Sequence, residues 1–371
     1  MHIPIRAGCR MALGFSLAVL TMGLAARQLY DLPVLPHPIV GEVHEPGKPF
    51  RQGIEGRGSG IWTSNGVRRA SYPTSGGHAP VLILGDSYTE AIQVDDEDYF
   101  GHLLEGRLGG TPVLAVGRSG YSVTDYIAKA ESFKRLFKPG WVVIEVGAGD
   151  FQADAWTKKA GGYAYFERDS SRGSSTEVSA GASARGTQAV ERLRVVSLPC
   201  ERPGWLSTAV REHCPFWFPL LSFSYLRKSE WQEWLQGHEQ PWFHATAAPL
   251  AEAEAPGEDL RDYPLDEEME LLAAAYEGRL TLLYLPRFDP DRPGAETRME
   301  QELHRLAAKH QLGFVSIGRE FAAIAAAGHS PYGFGNTRFN WGHWNPLGNR
   351  AAAELLAKEL RTRAQPEQGE P

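Results

Sequence analysis

Short apolar runs alternate with amphipathic stretches in two parts of the chain. Residues 81–84 (VLIL), 112–116 (PVLAV) and 141–147 (WVVIEVG) are compact and apolar, whereas residues 98–108 and 123–137 repeat apolar positions at helical spacing. Compact apolar runs predict buried strands, and the amphipathic stretches between them predict helices. Such alternation predicts a parallel sheet with helices on both of its faces.

The alternation stops at residue 151 and resumes at residue 265. The intervening segment opens with a Ser/Gly-rich tract and continues with aromatic-rich pieces. After it come a helical pattern at 265–278, apolar runs at 280–286 and 313–317, and a closing helix at 346–363. We therefore predict one three-layer α/β/α domain over residues 80–363, with a parallel sheet of about five strands and one large insertion at 151–264.

Two flanking segments lack this pattern. Residues 28–79 are rich in Pro and Gly and show no sustained periodicity, which predicts an irregular lead-in that wraps the core. Residues 364–371 are polar and predict a disordered tail.

The first 27 residues have the pattern of an export signal. Arg6 and Arg10 precede an uncharged, mostly apolar run at residues 11–26. This order predicts that the rest of the chain lies on the non-cytoplasmic side, in the periplasm or anchored to the membrane. The run is shorter than the roughly 20 residues of a comfortable membrane span, so a cleaved signal and an uncleaved anchor both remain open.

Export bears on the two cysteines beyond this segment, Cys200 and Cys214. In an oxidising compartment they can form a disulfide, and closing a loop of about 15 residues stabilises a protein by ~3 kcal/mol. The alternative is a pair of buried thiols.

Composition and charge narrow the classes of function. The 371 residues are 42% hydrophobic and 22% charged, as in ordinary globular proteins, and the net charge of -7 argues against a nucleic-acid partner. The sequence shows no metal-ligand spacing and no nucleotide-binding loop after a strand, so no metal and no cofactor is predicted.

Four polar motifs follow or flank the predicted strands. They are GDS at 85–87, GRSGYS at 117–122, GAGD at 147–150 and NWGHWNPLGN at 340–349. Sites in doubly wound sheets lie at the carboxyl ends of strands, so we expect these motifs to meet. A serine nucleophile at Ser87 and a base at His343 would then form the arrangement that acyl transfer requires.

These motifs resemble those of the SGNH, or GDSL-type, hydrolases, which are flavodoxin-like esterases and acyl-transferring relatives. The resemblance covers residues 80–150 and 265–363. It implies that Ser87 is the nucleophile, that His343 is the base and that Gly120 contributes to the oxyanion hole. It also implies a substrate that is an O-acyl ester, of which an O-acetyl ester of envelope or exported polysaccharide fits best.

Two positions differ from the family pattern. Gly149 stands where the family has an asparagine, and either its backbone N–H or a donor from the insertion could replace the missing oxyanion donor. Asn340 stands where an aspartate is usual, and it either orients His343 or has an unrelated role in the loop. These differences leave open a second hypothesis: a catalytically weak or inactive binding module in an envelope or polysaccharide assembly.

Three further features have a structural interpretation, and the third of them also has a functional one. Asp86 is predicted to cap or brace the nucleophile turn, and Asp150 to be structural. Five tryptophans between residues 205 and 242 predict either a sugar-stacking or membrane-interface platform or a small hydrophobic core of the insertion.

Overall fold

The computed structural model describes most of the predicted domain and much of the lead-in. The described residues are 41–63, 67–68, 79–159, 162–169, 192–198, 260, 263–286, 296–337, 339–340 and 342–364, with short stretches between residues 13 and 37. The pairing of Cys200 with Cys214, the tryptophan cluster and the tail beyond residue 364 lie outside them. So does most of the predicted export segment, and no helix in the described part is long and apolar enough to span a bilayer.

The strands and helices of the described residues can be numbered along the chain. The strands are Tyr30–Asp31 (β1), Val34–His37 (β2), Gly41–His44 (β3), Pro49–Gln52 (β4), Gly58–Ile61 (β5), Val81–Gly85 (β6), Val113–Gly117 (β7), Trp141–Gly147 (β8), Ala164–Asp169 (β9), Arg192–Ser197 (β10), Leu280–Leu285 (β11) and Gly313–Ser316 (β12). The helices are Ser87–Glu90 (α1), Phe100–Arg107 (α2), Val123–Phe137 (α3), Ala153–Trp156 (α4), Leu265–Ala275 (α5), Arg298–Lys309 (α6), Gly318–Ala326 (α7) and Pro346–Ala364 (α8), with a 3-10 turn at Gly149–Phe151.

Among the described strands, five form a parallel central sheet in the order β12-β11-β8-β6-β7. Read from the β7 edge and numbered along the chain, this is the 2-1-3-4-5 order of flavodoxin-like folds. The predicted α/β fold with a parallel sheet of about five strands is therefore confirmed. The winding direction reverses between β6 and β8, and ligand sites in open α/β sheets lie outside the carboxyl ends of the strands at such a point.

The alternation of side chains along β6 explains the three layers. Leu82 and Leu84 pack on one face of the sheet in a core shared with α3, α5 and α6. Val81 and Ile83 point to the other face and pack in a core shared with α2, α7 and α8. Because both faces are buried, the strand is apolar at every position, which is why it is visible in the sequence as an uninterrupted run.

The lead-in is more ordered than predicted. It contains β1 to β5: β4 and β5 form an antiparallel hairpin, β1 pairs with β4, and β2 pairs with β3. The prediction of an irregular segment is therefore wrong for these residues. In β4 the buried positions are Phe50 and Gln52, one apolar and one polar, so burial alternates along the strand without an alternation of hydrophobicity. Buried Arg68 joins the lead-in to the core. Its guanidinium donates to the Asp96 carboxylate and to the carbonyl oxygens of Ala91 and Val94.

The predicted insertion contributes an antiparallel hairpin, β9–β10, to the described structure. Its first strand is bonded to the start of α3. The Ala164 N–H donates to Asp125 Oδ1 at 2.9 Å, and Thr124 Oγ1 donates to the Ala164 carbonyl at 3.0 Å. The hairpin is thereby fixed beside the loop that follows β7.

Candidate active site

The predicted nucleophile, Ser87, is the first residue of α1 and follows β6 directly. The Asp86 carboxylate caps this short helix by accepting the Tyr88 N–H at 2.8 Å, which confirms the predicted capping role. Gly85 is required for close packing, because a Cβ at this position would lie 2.4 Å from Glu145 Oε2. The glycine and the aspartate of the GDS motif thus hold the serine at the carboxyl end of the strand.

His343 lies against the same turn, as predicted. The rings of His343 and Tyr88 have centroids 5.0 Å apart, and the Tyr88 hydroxyl donates to the Gly342 carbonyl at 3.2 Å. The segment that carries the predicted nucleophile and the loop that carries the predicted base are therefore in direct contact.

Glu55, from the lead-in between β4 and β5, holds His343 by two hydrogen bonds. Its Oε2 lies 2.7 Å from His343 Nδ1, and its Oε1 accepts the His343 backbone N–H at 2.7 Å. Both side chains are largely buried, with 24% of His343 and 15% of Glu55 exposed. A carboxylate can only accept, so Nδ1 carries the proton and Nε2 is left as the basic nitrogen.

The prediction that Asn340 orients His343 is wrong, because Glu55 occupies that position. Asn340 has a left-handed backbone, with φ of 61°, and its N–H donates to the Tyr332 carbonyl at 3.1 Å. It is a turn residue of the loop before α8.

Sequence reasoning missed Glu55 because it is 288 positions away from its partner, with no local spacing to connect them. A glycine directly before the histidine is a trace of this contact in the sequence. Gly342 has a positive φ, and a Cβ there would lie 2.2 Å from Glu55 Oε1, so only a glycine admits the carboxylate.

The pair shifts the pKa values of both groups. Burial alone would lower the pKa of His343, but the hydrogen bond and the charge of Glu55 outweigh it, so the pKa is raised from 6.5. Burial alone would raise the pKa of Glu55, but the contact with His343 outweighs it and the pKa is lowered from 4.5. Glu55 is therefore ionised at neutral pH and stabilises a positive charge on the imidazole.

Gly120 lies in a turn that is attached to the Ser87 segment. The Arg118 N–H donates to the Gly85 carbonyl at 3.1 Å, and Ser119 Oγ donates to Glu90 Oε2 at 2.6 Å. Gly117 is needed for this contact, because a Cβ there would lie 2.0 Å from the Glu90 backbone nitrogen. The structure thus brings the predicted oxyanion-hole segment beside the predicted nucleophile.

Gly149 opens the 3-10 turn after β8, and its neighbour Asp150 is buried. Asp150 Oδ2 accepts the Gly147 N–H at 2.7 Å, which agrees with the predicted structural role of this aspartate. Gly149 itself is partly exposed, at the sheet edge where β6 and β8 end. Its contribution to the oxyanion hole stays a prediction.

Glu145 is a buried carboxyl group beneath the nucleophile turn. It is 1% exposed, and its Oε2 accepts the Asp86 N–H and the Thr89 hydroxyl, both at 3.0 Å. Burial, and then the charges of Asp86 and Asp150, raise the pKa of Glu145 well above its ordinary value. Glu145 is the one charged residue of its apolar strand, and this isolated charge is visible in the sequence.

Two more buried carboxyl groups lie near this turn. Burial raises the pKa values of Asp86 and Asp150. Within the described ranges, no group of three or more His, Cys, Asp or Glu side chains has the arrangement of a metal site.

A second histidine–carboxylate pair joins the lead-in to the site. His44 Nε2 lies 2.7 Å from Glu90 Oε1, and the His44 ring stacks on Trp62 with centroids 3.5 Å apart. Since Glu90 also accepts the Ser119 hydroxyl, the lead-in supports the turn of Gly120 as well as His343.

Comparison with known proteins gives only distant likenesses. No protein-family model and no curated protein matches the chain. It is similar to Axe2, an acetylxylan esterase from Geobacillus stearothermophilus, at 12% identity and a TM-score of 0.35, over 77% of this chain and 95% of that one. It is also similar to LAE5, an alpha/beta hydrolase enzyme from the metagenome of Lake Arreo, Spain, at 13% identity and a TM-score of 0.35, over 76% and 95% respectively. At TM-scores this low, neither likeness carries an argument about activity.

Proposed function

We propose that the protein is a serine hydrolase that acts on O-acyl esters. In this proposal Ser87 is the nucleophile, His343 is the general base and Glu55 orients the base. The observation that carries the proposal is the double hydrogen bond from Glu55 to His343, beside the turn that presents Ser87. A carboxylate that fixes the histidine tautomer next to a strand-end serine is the arrangement by which serine hydrolases activate their nucleophile.

The proposed reaction has two steps. Ser87 Oγ attacks the acyl carbon while His343 Nε2 takes its proton, and the backbone N–H groups of Ser87 and Gly120 stabilise the negative oxygen of the tetrahedral intermediate. His343 then protonates the leaving alkoxide, which departs and leaves an acyl-enzyme. Water attacks the acyl-enzyme with His343 again as the base, or a sugar hydroxyl does so if the protein transfers the acyl group.

The substrate class and the location are parts of the same proposal. An O-acetylated envelope or exported polysaccharide agrees with the export-type pattern of residues 1–27. Membrane attachment, if the signal is retained, would be through residues 11–26. The alternative hypothesis of an inactive binding module loses part of its support, because Glu55 replaces the carboxylate that the last motif lacks.

Labelling with a fluorophosphonate tests the nucleophile without knowledge of the substrate. We expect wild-type protein to gain the mass of one adduct, and Ser87→Ala to gain none, because only a serine next to a base attacks phosphorus at a useful rate. Ser59→Ala is the matched control and should still be labelled, since the Ser59 hydroxyl donates to Asp95, away from His343. Folded wild-type protein without an adduct would contradict the proposal and favour the binding-module hypothesis.

The pH dependence of hydrolysis tests the base. The rate should decline as the pH falls through the pKa of His343, because a protonated imidazole cannot accept the serine proton. Since Glu55 raises this pKa, the decline should be centred above pH 6.5. The measurement is kcat/KM for p-nitrophenyl acetate from about pH 5 to about pH 9. A profile centred at or below pH 6.5 would contradict the assigned pair.

A further inference from the structure

The turn that carries Gly120 has a geometry in which one peptide can face either of two ways. The Tyr121 N–H donates to the Arg118 carbonyl at 3.0 Å, and Gly120 has φ of 81°. A four-residue turn with a positive φ at its third residue is a type II turn. Type I and type II turns differ mainly in which way the central peptide faces, and here that peptide joins Ser119 to Gly120.

The direction of the Gly120 N–H follows from the partner of the Ser119 carbonyl. In a planar trans peptide, the carbonyl and the following N–H point in opposite directions. The Tyr163 hydroxyl donates to the Ser119 carbonyl at 2.9 Å. This bond holds the carbonyl on the side of Tyr163 and therefore directs the Gly120 N–H away from Tyr163.

Tyr163 is itself fixed in place by the insertion. The Leu198 N–H donates to the Tyr163 carbonyl at 2.9 Å, which closes the base of the β9–β10 hairpin. Its ring makes an edge contact with Tyr121, with centroids 5.8 Å apart, and the Arg118 guanidinium lies 4.5 Å from its centroid. The backbone bond to Leu198 and the ring contacts with Tyr121 and Arg118 together hold the Tyr163 hydroxyl in place.

The turn is also bonded to the nucleophile segment. The Arg118 N–H donates to the carbonyl of Gly85, which precedes that segment, and the Ser119 hydroxyl donates to Glu90, the last residue of α1. The turn is thus bonded both to Tyr163 and to the Ser87 segment, and Lys159 Nζ also donates to the Gly120 carbonyl at 2.7 Å. A peptide flip would break the bond to Tyr163 without changing those to Gly85 and Glu90.

We propose that Tyr163 is a positioning residue for the oxyanion hole: it locks the Ser119–Gly120 peptide in the orientation that presents the Gly120 N–H to the reacting oxygen. This inference rests on the proposed hydrolase function and gives the insertion a role in catalysis. Tyr163 contacts the turn that carries Gly120, so in this proposal it acts through Gly120.

The test compares Tyr163→Phe with Tyr165→Phe. Tyr165 lies two positions further along the chain, in β9, whereas the Ser119 carbonyl accepts from Tyr163 and the Gly120 carbonyl accepts from Lys159. Loss of a whole oxyanion donor costs ~10²–10³ in turnover, so loss of its orientation in Tyr163→Phe should lower kcat for p-nitrophenyl acetate by about 10-fold. KM should stay within about twofold of wild type, because the peptide acts in the transition state. Tyr165→Phe should match wild type in both.

A thionoester substrate separates this role from a merely structural one. Sulfur is a weak hydrogen-bond acceptor, so p-nitrophenyl thionoacetate gains little from the oxyanion hole. The ratio of ester to thionoester turnover should therefore fall by about 10-fold in Tyr163→Phe and stay constant in Tyr165→Phe. If Tyr163→Phe lost equal activity on both substrates, or lost none, the proposed role of Tyr163 would be overturned. The hydrolase proposal would not be affected by that result. Absence of turnover in wild-type protein would overturn the hydrolase proposal together with this one.

Discussion

Replacement of Glu55 by glutamine is expected to lower kcat for ester hydrolysis by about 10⁴-fold, with little change in KM. The reason lies in the two hydrogen bonds to His343. The backbone N–H of His343 can only donate, so it selects the amide oxygen of the new side chain and leaves the amide nitrogen facing Nδ1. That nitrogen also donates, which forces the proton of the imidazole onto Nε2 and removes the basic nitrogen from the serine.

Two control variants separate this explanation from a general loss of structure. Glu45→Gln changes a partly exposed carboxylate of the same lead-in, whose partner Lys48 lies 3.6 Å away, and should retain wild-type kcat. Asn340→Asp should give no large gain, because Nδ1 is already held by Glu55. Full activity in Glu55→Gln would show that another group orients the base. A large gain in Asn340→Asp in addition would identify residue 340 as that position. Thermal unfolding of each variant checks that the fold is intact.

Replacement of Glu145 by glutamine is expected to stabilise the protein increasingly as the pH rises. The raised pKa means that folded Glu145 keeps a proton which the unfolded chain releases above pH 4.5. The folded state then binds more protons, so the wild-type free energy of unfolding falls with pH until the folded pKa is passed. Glutamine does not titrate. The difference between Glu145→Gln and wild type should therefore grow by up to about 1.4 kcal/mol per pH unit from about pH 5 upward.

Glu145→Ala is the matched variant for this prediction. It also removes the titrating group, so its difference from wild type should have the same pH slope. Alanine has no oxygen for the Asp86 N–H and the Thr89 hydroxyl, and each unsatisfied buried donor costs about 1–3 kcal/mol. Its curve should therefore lie below that of Glu145→Gln at every pH. Urea unfolding across the pH range measures both, and a pH-independent difference for the two variants would show that Glu145 is ionised in the folded protein.

The parts of the fold that the sequence predicts best are those whose physical cause is local. The strands β6, β7 and β8 are buried on both faces, so each is a continuous apolar run. Helix α3 begins at the predicted residue, and a capping box between Ser122 and Asp125 accounts for that start. In the lead-in, by contrast, the strands are short and a buried position can be polar, as Gln52 is in β4, so hydrophobicity does not alternate along them.

The residues of the candidate site likewise differ in whether a local sequence pattern points to them. Ser87, His343 and Gly120 stand at strand ends or in a terminal loop within recognisable motifs, and parallel strands bring such ends together. Glu55 reaches His343 through a contact between segments that are distant in sequence, and Gly342 leaves the space that its carboxylate occupies. No local pattern therefore points to Glu55. The proposed role of Tyr163 follows from the orientation of the Ser119–Gly120 peptide. That orientation is a property of the backbone conformation and cannot be read from the residue types.

The position of Glu55 in the chain has a consequence for how the molecule can be divided. A fragment beginning at residue 80 would retain the whole parallel sheet, together with Ser87 and His343. It would therefore be a complete domain if the domain were defined by its fold. It would nevertheless lack the carboxylate at residue 55 that sets the imidazole tautomer. The proposed catalytic unit is therefore longer than the α/β domain, and the residues that we propose as its acid, nucleophile and base follow one another along the chain in that order.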